Sequence, residues 1–237
     1  MNIDVTARAG MPSQYTTAPQ ITNPSFIAMK CKEGIVIATS PLGQIHDKLQ
    51  HKNVNRFLQI SDNVVVCTSG DYSDFQMISK VLKEDAHKSQ VYKGAKKAKP
   101  AEVASHLAHL CYEKRNKQDP YFVQAVVAGI NSKGTSELHY VDLYGNHFEN
   151  PYICSGFSLM ICPPIIDRVY NENISFAQAK DLLITCFKAL IARHVSSIDE
   201  VDFAFLSSQG VKYENERVRI KYDYETCIKK EDFMSTN

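Results

Sequence analysis

The sequence predicts an α+β fold of four layers, αββα, in which two sheets face each other and a pair of helices covers each outer surface. Two observations carry this expectation. The element signals run hairpin, hairpin, two helices, hairpin, two helices, hairpin, so strands are clustered and helices paired; alternating parallel units are not indicated. The strand segments are also dense in apolar residues, and a sheet covered on both faces buries all of them. The 237 residues are enough for one such sandwich with a large core.

Residues 1–23 carry Pro12 and Pro19 among Ser, Thr, Gln and Ala, without hydrophobic periodicity, and read as a tail or leader. The first hairpin joins Phe26–Lys32 to Ile35–Thr39 around Lys32-Glu33-Gly34. A second joins Phe57–Ile60 to Val64–Thr68 around Ser61-Asp62-Asn63, where Asp and Asn favour a tight turn. From Ser73, the apolar residues Phe75, Ile78, Val81 and Leu82 fall at helical spacing, with Asp71 or Ser73 as the N-cap. Tyr92–Pro100, with Lys93, Lys96, Lys97 and Lys99, reads as a solvated loop rather than a binding site. Pro100 opens a second helix with Val103, Leu107, Leu110 and Cys111 on its apolar face. A third hairpin spans Tyr121–Gly129 and Glu137–Leu143. Helices follow around Gly156–Tyr170, which Pro163-Pro164 begins anew or splits, and around Ser175–Arg193, where Ser175 and Gln178 form a capping box. Asp202–Ser207 and Gly210–Tyr213 close the series as a last hairpin.

Composition removes several function classes. Lys plus Arg number 27 against 26 Asp plus Glu, which leaves no bulk attraction towards nucleic acid or an acidic membrane. No apolar run is long enough to cross a bilayer, and the first ten residues lack the apolar stretch of a secretory signal, so a cytoplasmic and nuclear location is expected. The seven cysteines include no C-x-x-C pair and mostly sit in apolar segments; they read as buried free thiols, with no disulfide framework, metal site or cofactor expected. His106 and His109, three apart on a helix, read as partly exposed histidines, not metal ligands.

The segments Phe26-Ile27-Ala28-Met29-Lys30, Gly34-Ile35-Val36-Ile37-Ala38 and Ser69-Gly70-Asp71, in this element order, resemble proteasome beta subunits, whose fold is the N-terminal-nucleophile sandwich. Ser69-Gly70-Asp71-Tyr72-Ser73-Asp74-Phe75-Gln76, Tyr112-Glu113-Lys114-Arg115-Asn116-Lys117 before Pro120, and Tyr140-Val141-Asp142-Leu143-Tyr144-Gly145 narrow the resemblance to the non-catalytic beta type-4 branch, which fills the seventh position of the eukaryotic beta ring. The resemblance covers roughly residues 16–230. It implies a leader over 1–15 with cleavage near Thr16, a single domain over 16–218 and a C-terminal extension over 219–237.

Active members of that family attack a peptide carbonyl with the hydroxyl of an N-terminal threonine, whose free α-amine, of pKa ~8, serves as base. A lysine lowers the hydroxyl's pKa and an aspartate orients the lysine. By the resemblance these three places fall on Pro24, Ser40 and Arg56. Proline has no hydroxyl and, within a chain, no free amine; arginine stays protonated and cannot share protons as lysine does. Ser155 and Ser197 match serines of the family's supporting shell, while its second aspartate becomes His194. Ser25, one residue along the strand, lacks a terminal amine and faces the opposite side. His194, Ser197 and Asp199 lie together at a helix end without the alignment that a triad needs.

The resemblance therefore implies an inactive homologue within a peptidase complex, forming part of the wall of the degradation chamber. The alternative is a divergent peptidase with a displaced nucleophile. Implied partners are six other beta subunits, the alpha-ring subunits and the opposite beta ring; neither nucleic acid nor membrane is expected. Lys221-Tyr222-Asp223-Tyr224 and Ile228-Lys229-Lys230 are similar to the branch's extension that embraces the opposite ring, with Tyr222, Tyr224 and Ile228 as contact residues.

Overall fold

A computed structural model describes residues 21–23, 25–45, 48–93, 98–194 and 199–219. In chain order the elements are β1 (Ile21–Asn23), β2 (Phe26–Cys31), β3 (Gly34–Thr39), β4 (Gly43–Ile45), β5 (Lys48–His51), β6 (Phe57–Ser61), β7 (Val64–Asp71), α1 (Tyr72–Lys93), α2 (Pro100–Asn116), β8 (Val123–Ile130), β9 (Ser136–Val141), β10 (His147–Glu149), β11 (Tyr152–Cys154), α3 (Ser158–Ile161), α4 (Pro163–Ile166), α5 (Phe176–Arg193), β12 (Glu200–Ser207) and β13 (Gly210–Arg217).

Among the described residues the strands form two antiparallel sheets. The larger runs β10-β9-β8-β7-β1-β4-β5, with β6 also on β7; the smaller runs β11-β2-β3-β12-β13. Alternation along each central strand decides which layer its side chains join. Phe26, Ala28, Ile35 and Ile37 meet Val65, Cys67, Val126 and Ala128 between the sheets. Their neighbours Ile27, Met29, Val36 and Ala38 face the other way, onto Leu182, Leu183, Cys186 and Phe187 of α5. Val64, Val66, Ala125 and Val127 likewise face Phe75, Ile78, Ala104 and Leu107 of α1 and α2. The expected αββα sandwich is thus the observed one, and the dense apolar runs exist because each central strand is covered on both faces.

Local chemistry explains the boundaries. The Asp71 side chain accepts from the Ser73 and Asp74 N–H groups, at 2.7 and 3.2 Å, so it caps α1. Pro100 sits in the first turn of α2, where its missing N–H costs nothing. Ser175 and Gln178 close a capping box on α5. Pro163 starts α4 directly after Cys162, dividing Gly156–Tyr170 into two single-turn helices.

Several elements differ from the expectation. β1 lies in the stretch read as leader, and β4, β5, β10 and β11 lie in stretches read as connections; at three or four residues each is too short to show a period. Tyr92 and Lys93 belong to the end of α1, not to a loop. The Lys96-Lys97 stretch, the leader with Thr16, and the tail with Tyr222, Tyr224 and Ile228 lie outside the described residues. Cys31, Cys67, Cys111, Cys154, Cys162 and Cys186 are buried free thiols, as expected; burial pushes those of Cys31, Cys67, Cys111 and Cys154 up to about 12, far from a reactive thiolate.

Candidate functional site

One edge of β7 is shared by two strands. β6 pairs with its first half, Phe57 opposite Cys67, and β1 with its end, Asn23 opposite Gly70. Arg56 immediately precedes β6, and the residue is 0 % exposed. Its Nη1 donates to the Gly70 carbonyl at 2.9 Å, and the guanidinium lies 5.0 Å over the Tyr72 ring. Nε and Nη2 have no hydrogen-bond partner, and the hydroxyl of Thr68 is likewise buried without one. Burial draws the guanidinium down from 12.5 to about 10, against the raising influence of Cys67, Tyr72 and Asp71. At neutral pH it is a fixed positive charge that neither accepts nor delivers a proton.

The other end of the site is a set of serines that bind backbone. Ser155 Oγ accepts from the Phe26 N–H at 3.0 Å. Ser158 Oγ donates to the Ser155 carbonyl at 2.7 Å and reaches the Phe26 carbonyl at 3.0 Å. The Ser158 N–H donates to Ser25 Oγ at 3.0 Å, while the Ser25 carbonyl accepts from Thr39 Oγ1 at 3.2 Å. These bonds tie the start of β2 to the end of β3 and to the turn before α3. Ser25 thus stands directly before β2, with its hydroxyl and carbonyl both engaged in this network.

Ser40 is buried directly after β3. His194 ends α5, with its ring 5.0 Å from that of Phe157. Asp199 is engaged by Arg217 on β13. Pro24 and Ser197 lie outside the described residues. His106 and His109 stand beside carboxylates, Asp85 at 3.4 Å and Glu113 at 3.1 Å. Among the described residues no group of three or more His, Cys, Asp and Glu side chains is placed to enclose a metal ion, and no helix is long and apolar enough to cross a membrane. Two participants were not singled out from the sequence, Ser158 and the Gly70 carbonyl. Ser158 had a signal in the Ser155-x-x-Ser158 spacing before a helical turn; a carbonyl has none.

The layer order, the handover of β7 from β6 to β1 and the polar cluster at the start of β2 define a protein of the N-terminal-nucleophile sandwich class. Within it the chain belongs to the proteasome subunit family, whose model matches residues 22–206, and to its beta branch. It is 30% identical over 199 residues to "Proteasome subunit beta type-4" of Arabidopsis thaliana, covering 84% of this chain and 80% of that one. It is 28% identical over 240 residues to "Proteasome subunit beta type-7" of Saccharomyces cerevisiae, covering 96% and 90%. "Proteasome subunit beta 1" of the archaeon Pyrococcus horikoshii is 25% identical, over 81% of this chain and 96% of its own.

Proposed function

We propose that this chain is a non-catalytic beta subunit of the 20S proteasome core, of the beta type-4 branch, contributing to the wall of the proteolytic chamber in the cytoplasm and nucleus. The observation that carries the reading is Arg56. At the place that an active subunit gives to lysine, this chain holds a buried cation pinned between the Gly70 carbonyl and the Tyr72 ring. Such a group stabilises charge statically and takes no part in proton exchange. The serines around Ser155 support the same reading, because their polar atoms satisfy backbone groups of β2. Pro24, at the nucleophile's place in the sequence, has neither hydroxyl nor free amine.

The partners follow from the family: six other beta subunits in the ring, the alpha ring outside, and the opposite beta ring through the tail after Arg219. Purified core particles treated with an epoxyketone probe decide the catalytic question. The reading expects labelled bands only from other subunits; a covalent adduct on this chain overturns it and installs the displaced-nucleophile peptidase. Truncation after Arg219 is expected to accumulate half-particles on native gels, and undiminished full cores would refute the clamp role of the tail.

A further inference from the structure

β9 and β10 pair at the edge of the larger sheet, joined by a turn in which Asp142 accepts from the Tyr144 and Asn146 N–H groups. The register sets His147 opposite Val141 and Glu149 opposite His139, so the two histidines are diagonal neighbours on one face. His147 Nε2 lies 3.3 Å from His139 Nδ1, with ring centroids 5.1 Å apart. The other nitrogen of His139, Nε2, faces Glu137 Oε2 at 3.5 Å. Glu137 is itself held by Asn131, whose side-chain amide donates to Oε1 at 2.7 Å. His139 is buried, whereas His147 is open to solvent.

A carboxylate beside Nε2 keeps the His139 proton on that nitrogen, leaving a lone pair on Nδ1 directed towards His147. In the neutral pair His147 Nε2–H donates into it. The other tautomer of His147 carries its proton on Nδ1, and two lone pairs then face a common point. Two nitrogens bound tetrahedrally to zinc at ~2.0–2.1 Å stand about 3.3 Å apart, the separation already present here.

We infer that His139 and His147 form a two-histidine site for a borderline transition-metal ion, Zn2+ foremost, with Glu137 orienting the buried ligand. Imidazole nitrogen suits that class of ion better than Mg2+ or Ca2+. Water completes the coordination, because Glu149 is committed to Lys30; the site is open and exchangeable. His106 and His109 are each paired with a carboxylate, Asp85 and Glu113. A bound ion would clasp β10 to β9 and steady the crossing to the smaller sheet, where Asn150 N–H bonds the Leu138 carbonyl and Lys30 N–H the Pro151 carbonyl.

Titration of the full-length chain with Zn2+, and with Co2+ as a coloured probe, tests the site. One ion per chain at micromolar concentration is expected, with a rise in melting temperature. His147→Gln should weaken binding by at least tenfold and abolish the rise, and Glu137→Gln by roughly tenfold or more through loss of ligand orientation. His109→Gln should leave binding unchanged. A wild-type chain that binds no zinc at micromolar concentration, or a His147→Gln chain that binds as the wild type does, overturns the inference. His147 is on the surface, so its variant keeps the fold and its melting curve reports on folded protein.

Discussion

Replacing Arg56 separates what its charge does from what its bulk does. The fall of the guanidinium from 12.5 to about 10 means that the fold disfavours the charged form by about 3 kcal/mol. Arg56→Met removes that cost while filling similar space. It also leaves the Gly70 carbonyl without its partner, at ~1–3 kcal/mol, and loses the contact with Tyr72, ~1–2 kcal/mol when desolvated. The opposing sums nearly cancel, so Arg56→Met should stay within about 1 kcal/mol of the parent. Arg56→Ala suffers the same losses and opens a cavity on the order of 80 Å3, which at ~24 cal/mol per Å3 costs about 2 kcal/mol more, before lost contacts. Urea unfolding of the full-length chain, followed by tyrosine fluorescence since the sequence contains no tryptophan, reads both. If Arg56→Met falls as far as Arg56→Ala, the buried charge is a net stabiliser and the reasoning fails.

Two further substitutions probe the same region. At Gly70, φ is +101° and an added Cβ would stand 2.2 Å from the Phe122 carbonyl oxygen, so Gly70→Ala should cost several kcal/mol, on the order of 3 or more, in thermal unfolding; a variant melting with the parent would contradict the close β7–β8 approach. Ser155→Ala leaves the buried Phe26 N–H without its acceptor and should lose about 1–3 kcal/mol, yet core particles carrying it should keep every peptidase activity, and selective loss of one activity would contradict the backbone role.

The parts of the fold legible in the chain were those with long or chemically punctuated signals. Val64–Cys67 and Val126–Ala128 read as strands because they are apolar and rich in β-branched valine. Ser175 with Gln178 and Pro100 mark helix starts because capping is local chemistry, settled within a few residues. β1, β4, β5, β10 and β11 leave no such signal, because strands of three or four residues are held by pairing with their partners, not by their own pattern.

At the site, the identities of Pro24, Ser40 and Arg56, on which the proposed loss of catalysis rests, are written in the sequence. What Arg56 does is not. Its burial and its seat over Tyr72 arise because β6 and β1 share one edge of β7, which brings the residue before β6 up against the Gly70 carbonyl. In the same way, His139 and His147 are eight positions apart and carry no metal-like spacing; only the β9–β10 register, through the pleat, sets their nitrogens face to face. Residue chemistry and local caps were determined by the sequence itself, because they depend on covalent structure and near neighbours. Which buried groups meet was decided by tertiary structure, because those meetings depend on how strands far apart in the chain come into register.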